Sequence, residues 1–187
     1  MFPLTYSFTF GGINMRNYGL YLKSRVMPTL PRTREKTIEV PGRDGKLDMG
    51  AEFAERVIPL PCVIQVSNDA EFISLVRTLA RIFDPTRGAQ RLILDEEKDK
   101  YYMARYAGKL DIEQVLQWSE FELPMVCYDP FAYSTVSNEL NASINMPVST
   151  FEISREVNAY AVAPIIRIKN VGTTPVSGLE IKRTTNL

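Results

Sequence analysis

Apolar and polar residues alternate along most of this chain, the spacing of strands with one buried face. The alternation is clearest around "VPGRDGKLDMG", residues 40–50, where Lys36, Thr37, Ile38, Glu39 and Val40 lead in and Leu47, Asp48 and Met49 lead out. Two glycines and several charged side chains separate the flanks, so the stretch reads as a hairpin with Ile38, Val40, Leu47 and Met49 on its apolar face. A two-stranded ribbon with so little to bury is marginal in water, so this hairpin must lie on something else.

Other strands follow the same rule. The start alternates Leu4, Tyr6, Phe8 and Phe10 against Thr5, Ser7 and Thr9, and "VIPLPCVIQV" holds Pro59 and Pro61, a pair that suggests an edge or a bulge. The period then changes. Asn68 and Glu71 have capping-box spacing, and Phe72, Leu75, Val76, Leu79, Ala80 and Phe83 recur at three and four, predicting a helix near 69–83 that ends at Asp84-Pro85. Arg77, Thr78 and Arg81 take its other face, so it is expected to lie as a lid on a sheet. "RLILDEEKDKYYMARY" reads as two strands around an acidic turn, and "WSEFELPMVCYDPFAY" as another strand ending at Asp129-Pro130. Residues 134–150 are polar and weakly periodic, a linker, followed by strands expected at 163–172 and 178–187. The chain therefore divides into a mixed β domain over 1–133 and, over 134–187, a linker with the opening of a second β domain.

Composition narrows the functions. Hydrophobic residues make up 45%, an ordinary globular core, and 22 basic residues balance 22 acidic ones. That balance holds on both sides of Tyr133, so no basic module for phosphate is present and no specific nucleic-acid binding is expected. The start is a strand rather than a signal peptide, and the apolar run "AYAVAPII" is short and broken by Pro164, so no membrane span is expected. Cys62 and Cys127 sit in apolar runs without metal spacing, which predicts buried free thiols and a reducing cytoplasm.

The chain has no histidine, which removes His-based nucleophilic triads, His-ligated zinc and an imidazole base together. A glycosidase needs only two carboxylates, but the densest cluster, Asp95, Glu96, Glu97 and Asp99, falls in a predicted hairpin turn with Lys98 and Lys100 and reads as solvated. Asp44, Asp48 and Glu55 fit three positions of a calcium loop, yet Lys46 stands where a ligand belongs and Met49 where the turn needs glycine. Gly11-Gly12 reads as a hairpin turn without a phosphate-loop pattern, and Asn141-Ala142-Ser143 as a chance match to a glycosylation sequon. Trp118 could serve as a sugar platform but reads first as core or rim packing. No catalytic, cofactor or metal residue is assigned.

Taken in order, "FTFGGINMRNYGLYL", the "VPGRDGKLDMG" hairpin, "RVIPLPCVI", the lid helix, "RLILDEEKDKYYMARY", "FELPMVCYDPFAY" and "APIIRIKN" resemble the distal tail (Dit, or phage tail component) proteins of long-tailed phages of Gram-positive bacteria. The resemblance spans nearly the whole chain. It implies a mainly β (α+β) fold: an N-terminal antiparallel sandwich or split barrel with one lid helix and an extended hairpin arm, then the start of a galectin-like β sandwich. It also implies a non-enzymatic, cofactor-free homo-oligomeric ring, usually six-fold, at the far end of the tail tube in the virion, assembled in the host cytoplasm. Its partners would be the tube protein above and tail-tip or receptor-binding proteins below. A carbohydrate-binding module and a tail-associated glycosidase are the competing functions. Within the ring reading, Ile38, Val40, Gly42, Arg43, Asp44, Gly45, Leu47 and Met49 form a candidate inter-subunit arm. Such an arm either adds its backbone to a neighbour's sheet or folds back on its own domain.

Overall fold

The computed structural model describes residues 5–26, 29–108, 118–136, 139, 141, 143, 165–178 and 180–182. Ten strands and one α-helix are assigned among them: β1 (Phe8–Phe10), β2 (Ile13–Asn14), β3 (Leu20–Leu22), β4 (Thr33–Ile38), β5 (Leu47–Phe53), β6 (Arg56–Gln65), α1 (Asp69–Ile82), β7 (Gln90–Leu94), β8 (Lys100–Tyr106), β9 (Trp118–Cys127) and β10 (Ala132–Ser134). Eight strands form one antiparallel sheet in the order β2-β1-β7-β8-β9-β6-β3, with β10 paired to β8, while β4 and β5 pair only with each other. The large sheet curls into a half-barrel, giving the mainly β fold with a single helix that the alternation implies.

The core lies inside the curl. Phe8, Leu20, Ile58, Leu60, Ile64, Leu92, Leu94, Leu123 and Met125 are at most 1% exposed, each at an alternate position of its strand. Burying a side chain of this size stabilises the fold by about 1.5–3 kcal/mol. The helix covers the same space with Phe72, Leu75, Leu79 and Ile82, and Phe83, its C-cap, stacks on Phe10 at 5.2 Å. Its start is capped as the spacing predicts: Glu71 N donates to Asn68 Oδ1 at 2.9 Å and Ser67 N to Glu71 Oε2 at 2.8 Å. Val76 is only partly buried, and Ala80 is exposed while Ile82 takes the inward position. The stripe through Leu75, Leu79, Ile82 and Phe83 follows steps of three and four, and position 80 falls about 100° off Leu79 around the helix.

Two prolines sit in a strand whose ten residues all pair with β9, because their missing donors face the other way. Pro61 O accepts from Lys23 N at 2.8 Å and Gln65 N donates to Gly19 O at 3.2 Å, so odd-numbered residues of β6 point their backbone towards β3. Pro59 and Pro61 therefore cost the β9 ladder nothing, and beyond Leu22 they leave that outer edge poor in donors. Pro124, opposite Pro59, likewise turns its carbonyl away from β6, accepting from Ala107 N at 3.1 Å.

The other end of the sheet corrects two sequence readings. Ser7, expected on the polar face, is fully buried: its hydroxyl donates to Leu20 O at 2.9 Å and its amide to Asp95 Oδ2 at 3.1 Å. The acids after β7 are not a solvated turn either. Asp95, Glu96 and Glu97 side chains are 18, 8 and 17% exposed, and each has a cation beside it: Arg16 at 2.7 Å, Arg25 at 3.2 Å and Lys100 at 3.1 Å. The buried Tyr102 hydroxyl also donates to Glu97 Oε2 at 3.2 Å, and burial pushes its pKa up to about 12.

Gly19 ends the short 3-10 turn before β3 at φ 66, and a Cβ there would meet Gln65 O at 2.8 Å. Backbone cannot yield as a side-chain tip would. Gly19→Ala is expected to cost about 1–3 kcal/mol, read from urea denaturation, combining a left-handed penalty with the clash. An unchanged midpoint would show that the turn relaxes freely.

Cys62 and Cys127 are free and buried, as their apolar surroundings predict, and burial raises both thiols, Cys127 to about 11. An unfolded chain loses these protons near pH 8.5. The contribution of Cys127 to stability is thus whole below that pH and drains away as pH rises towards 11, while the loss for Cys62 continues to higher pH still. The denaturation midpoint should fall more steeply between pH 9 and 11 in the natural chain than in Cys127→Ala; parallel profiles would contradict this.

The chain divides into two compact units, residues 1–139 and 140–187. In the second, residues 165–178 and 180–182 carry no strand, although two were expected there. Asn170 instead organises a turn, its Oδ1 accepting from Gly172 N at 2.9 Å and its Nδ2 donating to Thr174 O at 2.9 Å. Ile165, Ile168 and Val171 are 87, 59 and 88% exposed, so the described residues of this unit bury no core of their own. Leu4, the sequon's Ala142 and most of the linker lie outside the described residues.

Candidate functional site: the hairpin arm

β4 and β5 form the arm, longer than the alternation predicts because pairing runs from Thr33↔Phe53 out to Ile38↔Leu47. Between Arg32 and Glu52 only Leu47 is better than exposed, so neither face of the ribbon is covered. Ile38, Val40 and Met49 are 48, 39 and 59% exposed, large apolar side chains held in water. Arg43 N closes the tip by donating to Val40 O at 3.1 Å, and Gly42, Asp44 and Gly45 complete it with no other part of the fold against the two glycines.

The eight predicted arm residues do not form one stripe. Ile38 and Leu47 face each other across the ribbon, Val40 and the residues to Gly45 belong to the tip, and Met49 lies at a bulge. Glu35 pairs with Ala51 but Thr37 with Asp48, so β5 carries one extra residue in that interval. Gly50 takes φ 91 there, where a side chain would be strained, and its amide donates to Asp48 Oδ1 at 2.8 Å. The signal was present in the sequence as Asp-x-Gly, inside what reads as plain alternation.

Proximal to Ile38, the same face is ionic. Glu52 accepts from Arg34 at 3.1 Å and from Lys36, whose ammonium is the main cause holding the Glu52 carboxyl below its ordinary pKa. Lys46 pairs with Glu39 at 2.7 Å near the tip and Arg32 approaches Glu55 to 4.0 Å at the base. Exposed pairs of this kind add little stability, but they leave the arm self-neutralised and soluble.

The base is anchored by residues that pattern reading missed. Ala54 N donates to Arg32 O at 2.7 Å, joining the two legs. Phe53 meets Phe131 edge to face at 6.1 Å, and Arg56 donates to Pro130 O at 2.7 Å and Thr29 O at 2.6 Å. No cluster of three or more possible metal ligands occurs among the described residues. Trp118 opens β9 opposite Gln65, its side chain outside the described residues.

Most of the half-barrel, the helix and the ribbon fall within the span of one known family. A family model described as the phage tail protein RIFT-related domain matches residues 13–127, from β2 through the arm to the end of β9. The chain belongs to that family. None of the curated proteins matches it. The fold of this tail protein is similar to the crystal structure of the Dit protein of phage SPP1, described as a paradigm of the hub adsorption apparatus in phages infecting Gram-positive bacteria. The TM-score is 0.60 at 13% identity, over 70% of this chain and 52% of that one. The tail protein thus spans about half the length of its SPP1 counterpart, and at this identity the likeness is one of fold.

Proposed function

We infer that this chain is a non-enzymatic hub protein that closes into a ring, six subunits round, at the distal end of the phage tail tube. One observation carries the reading: within a phage tail fold, an arm of about twenty residues with exposed Ile38, Val40 and Met49 covers nothing in its own subunit. A ribbon with both edges unpaired and its apolar side chains uncovered is a ready template for pairing with another chain. The arm completes the sheet of the next subunit, a head-to-tail contact that closes when the rotation divides a full turn. Residues 1–133 form the ring, and residues 134–187 are a linker and a C-terminal segment. The tube protein binds above, tail-tip and receptor-binding proteins below, and assembly takes place in the host cytoplasm before the ring enters the virion.

Native mass spectrometry tests this. A defined ring, six-fold in mass, is expected from the chain alone or with the tube protein added. A monomer under both conditions would overturn the reading, and glycan-dependent thermal stabilisation or cell-wall clearing would favour the sugar-directed alternatives.

A further inference from the structure

The arm base and the end of the first unit share a single junction. Phe53, the last residue of β5, packs on Phe131, and Arg56 spans the gap beside it. Its guanidinium donates to Thr29 O, ahead of the arm, and to Pro130 O, in the loop before β10, while lying 5.5 Å over the Tyr102 ring. That loop is itself tied to β10: Asp129 accepts from Phe131 N at 3.3 Å and from the Tyr133 hydroxyl at 2.5 Å. β10 then pairs with the start of β8, and Thr135 donates to Asp99 O at 2.8 Å and Lys98 O at 3.1 Å before the chain enters its second unit.

We propose that Arg56 is a positioning residue that couples the arm to β10, so that whatever orders the arm also orders the strand from which the C-terminal unit departs. The physical case rests on reach and rigidity. β10 has three residues, and among the described residues the ribbon's two strands pair only with each other, so each is a weakly held element at risk of opening on its own. A planar guanidinium satisfying one carbonyl in the segment leading into the ribbon and one in the loop leading into β10, beside the edge-to-face pair of Phe53 and Phe131, lets neither open without costing the other its contacts. These contacts lie within one chain, so the inference stands whether or not the arm enters a ring.

Hydrogen exchange on the full chain tests it. Phe53→Ala is expected to speed exchange at Ala132–Thr135, as well as at the arm base, by roughly two- to tenfold. Phe53→Leu serves if alanine prevents folding. Arg56→Lys keeps the charge and removes the fork, and should act on both segments too. Coupling is reciprocal, so Tyr133→Phe, made on the far side, should speed the Ala54 amide. Residues 8–10 and 90–94 should exchange as before. Faster arm-base exchange with Ala132–Thr135 unchanged would overturn the coupling. So would uniform acceleration that includes residues 8–10 and 90–94, which reports global destabilisation instead.

Discussion

Replacing residues 41–46 with a short Gly-Ser turn is expected to leave a folded subunit and to abolish the proposed assembly. The first half follows from burial: no residue from Arg32 to Glu52 is buried, so the core that holds the half-barrel loses nothing. The second follows from the inter-subunit role proposed for the arm, since a head-to-tail ring that loses one partner surface loses it at every joint. Mass from light scattering should fall to that of one subunit while the thermal transition stays in place. Ile38→Asp with Val40→Asp should act likewise. Ile38 shares its face with Leu47, and an unpaired carboxylate there would be carried into the joint without a cation, because Arg34 and Lys36 are already engaged by Glu52. Rings formed by either variant would sink the idea and leave the hairpin a local feature.

Leu79→Ala should be the most damaging single change in the helix, costing about 2–5 kcal/mol. Leu79 is 0% exposed and lies between Leu75 and Ile82 on the inward stripe, so its truncation opens a cavity that the sheet beneath cannot collapse to fill. Ala80→Glu supplies the control, since position 80 faces water and the change should alter stability, read from urea denaturation, by under about 0.5 kcal/mol. Equal effects at the two positions would mean that the helix is not held as described.

Much of this was legible because alternation and the three-four rhythm encode which face is wet. The inward positions of β6, the stripe of α1 and the existence of the arm all follow from spacing, with Ile58, Leu60, Cys62 and Ile64 buried at every second residue. What spacing could not supply is which strand lies beside which. Ser7 reads as a polar outward residue until β3 and β7 close on either side of it, and then its hydroxyl and amide are both needed inside. The acids at 95–97 read as turn chemistry because their cations, Arg16 and Arg25, are some seventy to eighty residues away in sequence. In the arm, the extra residue at Met49-Gly50 shifts one strand against the other, so four apolar positions that alternate on paper do not line up in space. The anchor at Arg56 carried no local pattern at all, since its carbonyl partners at 29 and 130 become neighbours only in the fold.

The sheet order also sets a timetable for synthesis. Phe8 in β1 pairs with Leu94 in β7, and β6 cannot fill its ladder until β9, ending at Cys127, has left the ribosome. The arm is finished at Phe53, whereas its anchor Phe131 is translated 78 residues later, several seconds at about 5–20 residues per second. Throughout that interval each nascent chain exposes the arm segment, without its anchor, to its neighbours on the same message. The Glu52 cluster and the Glu39–Lys46 pair draw only on residues of the arm itself, so the charges that discourage premature strand exchange are already present in that segment before any of the half-barrel exists.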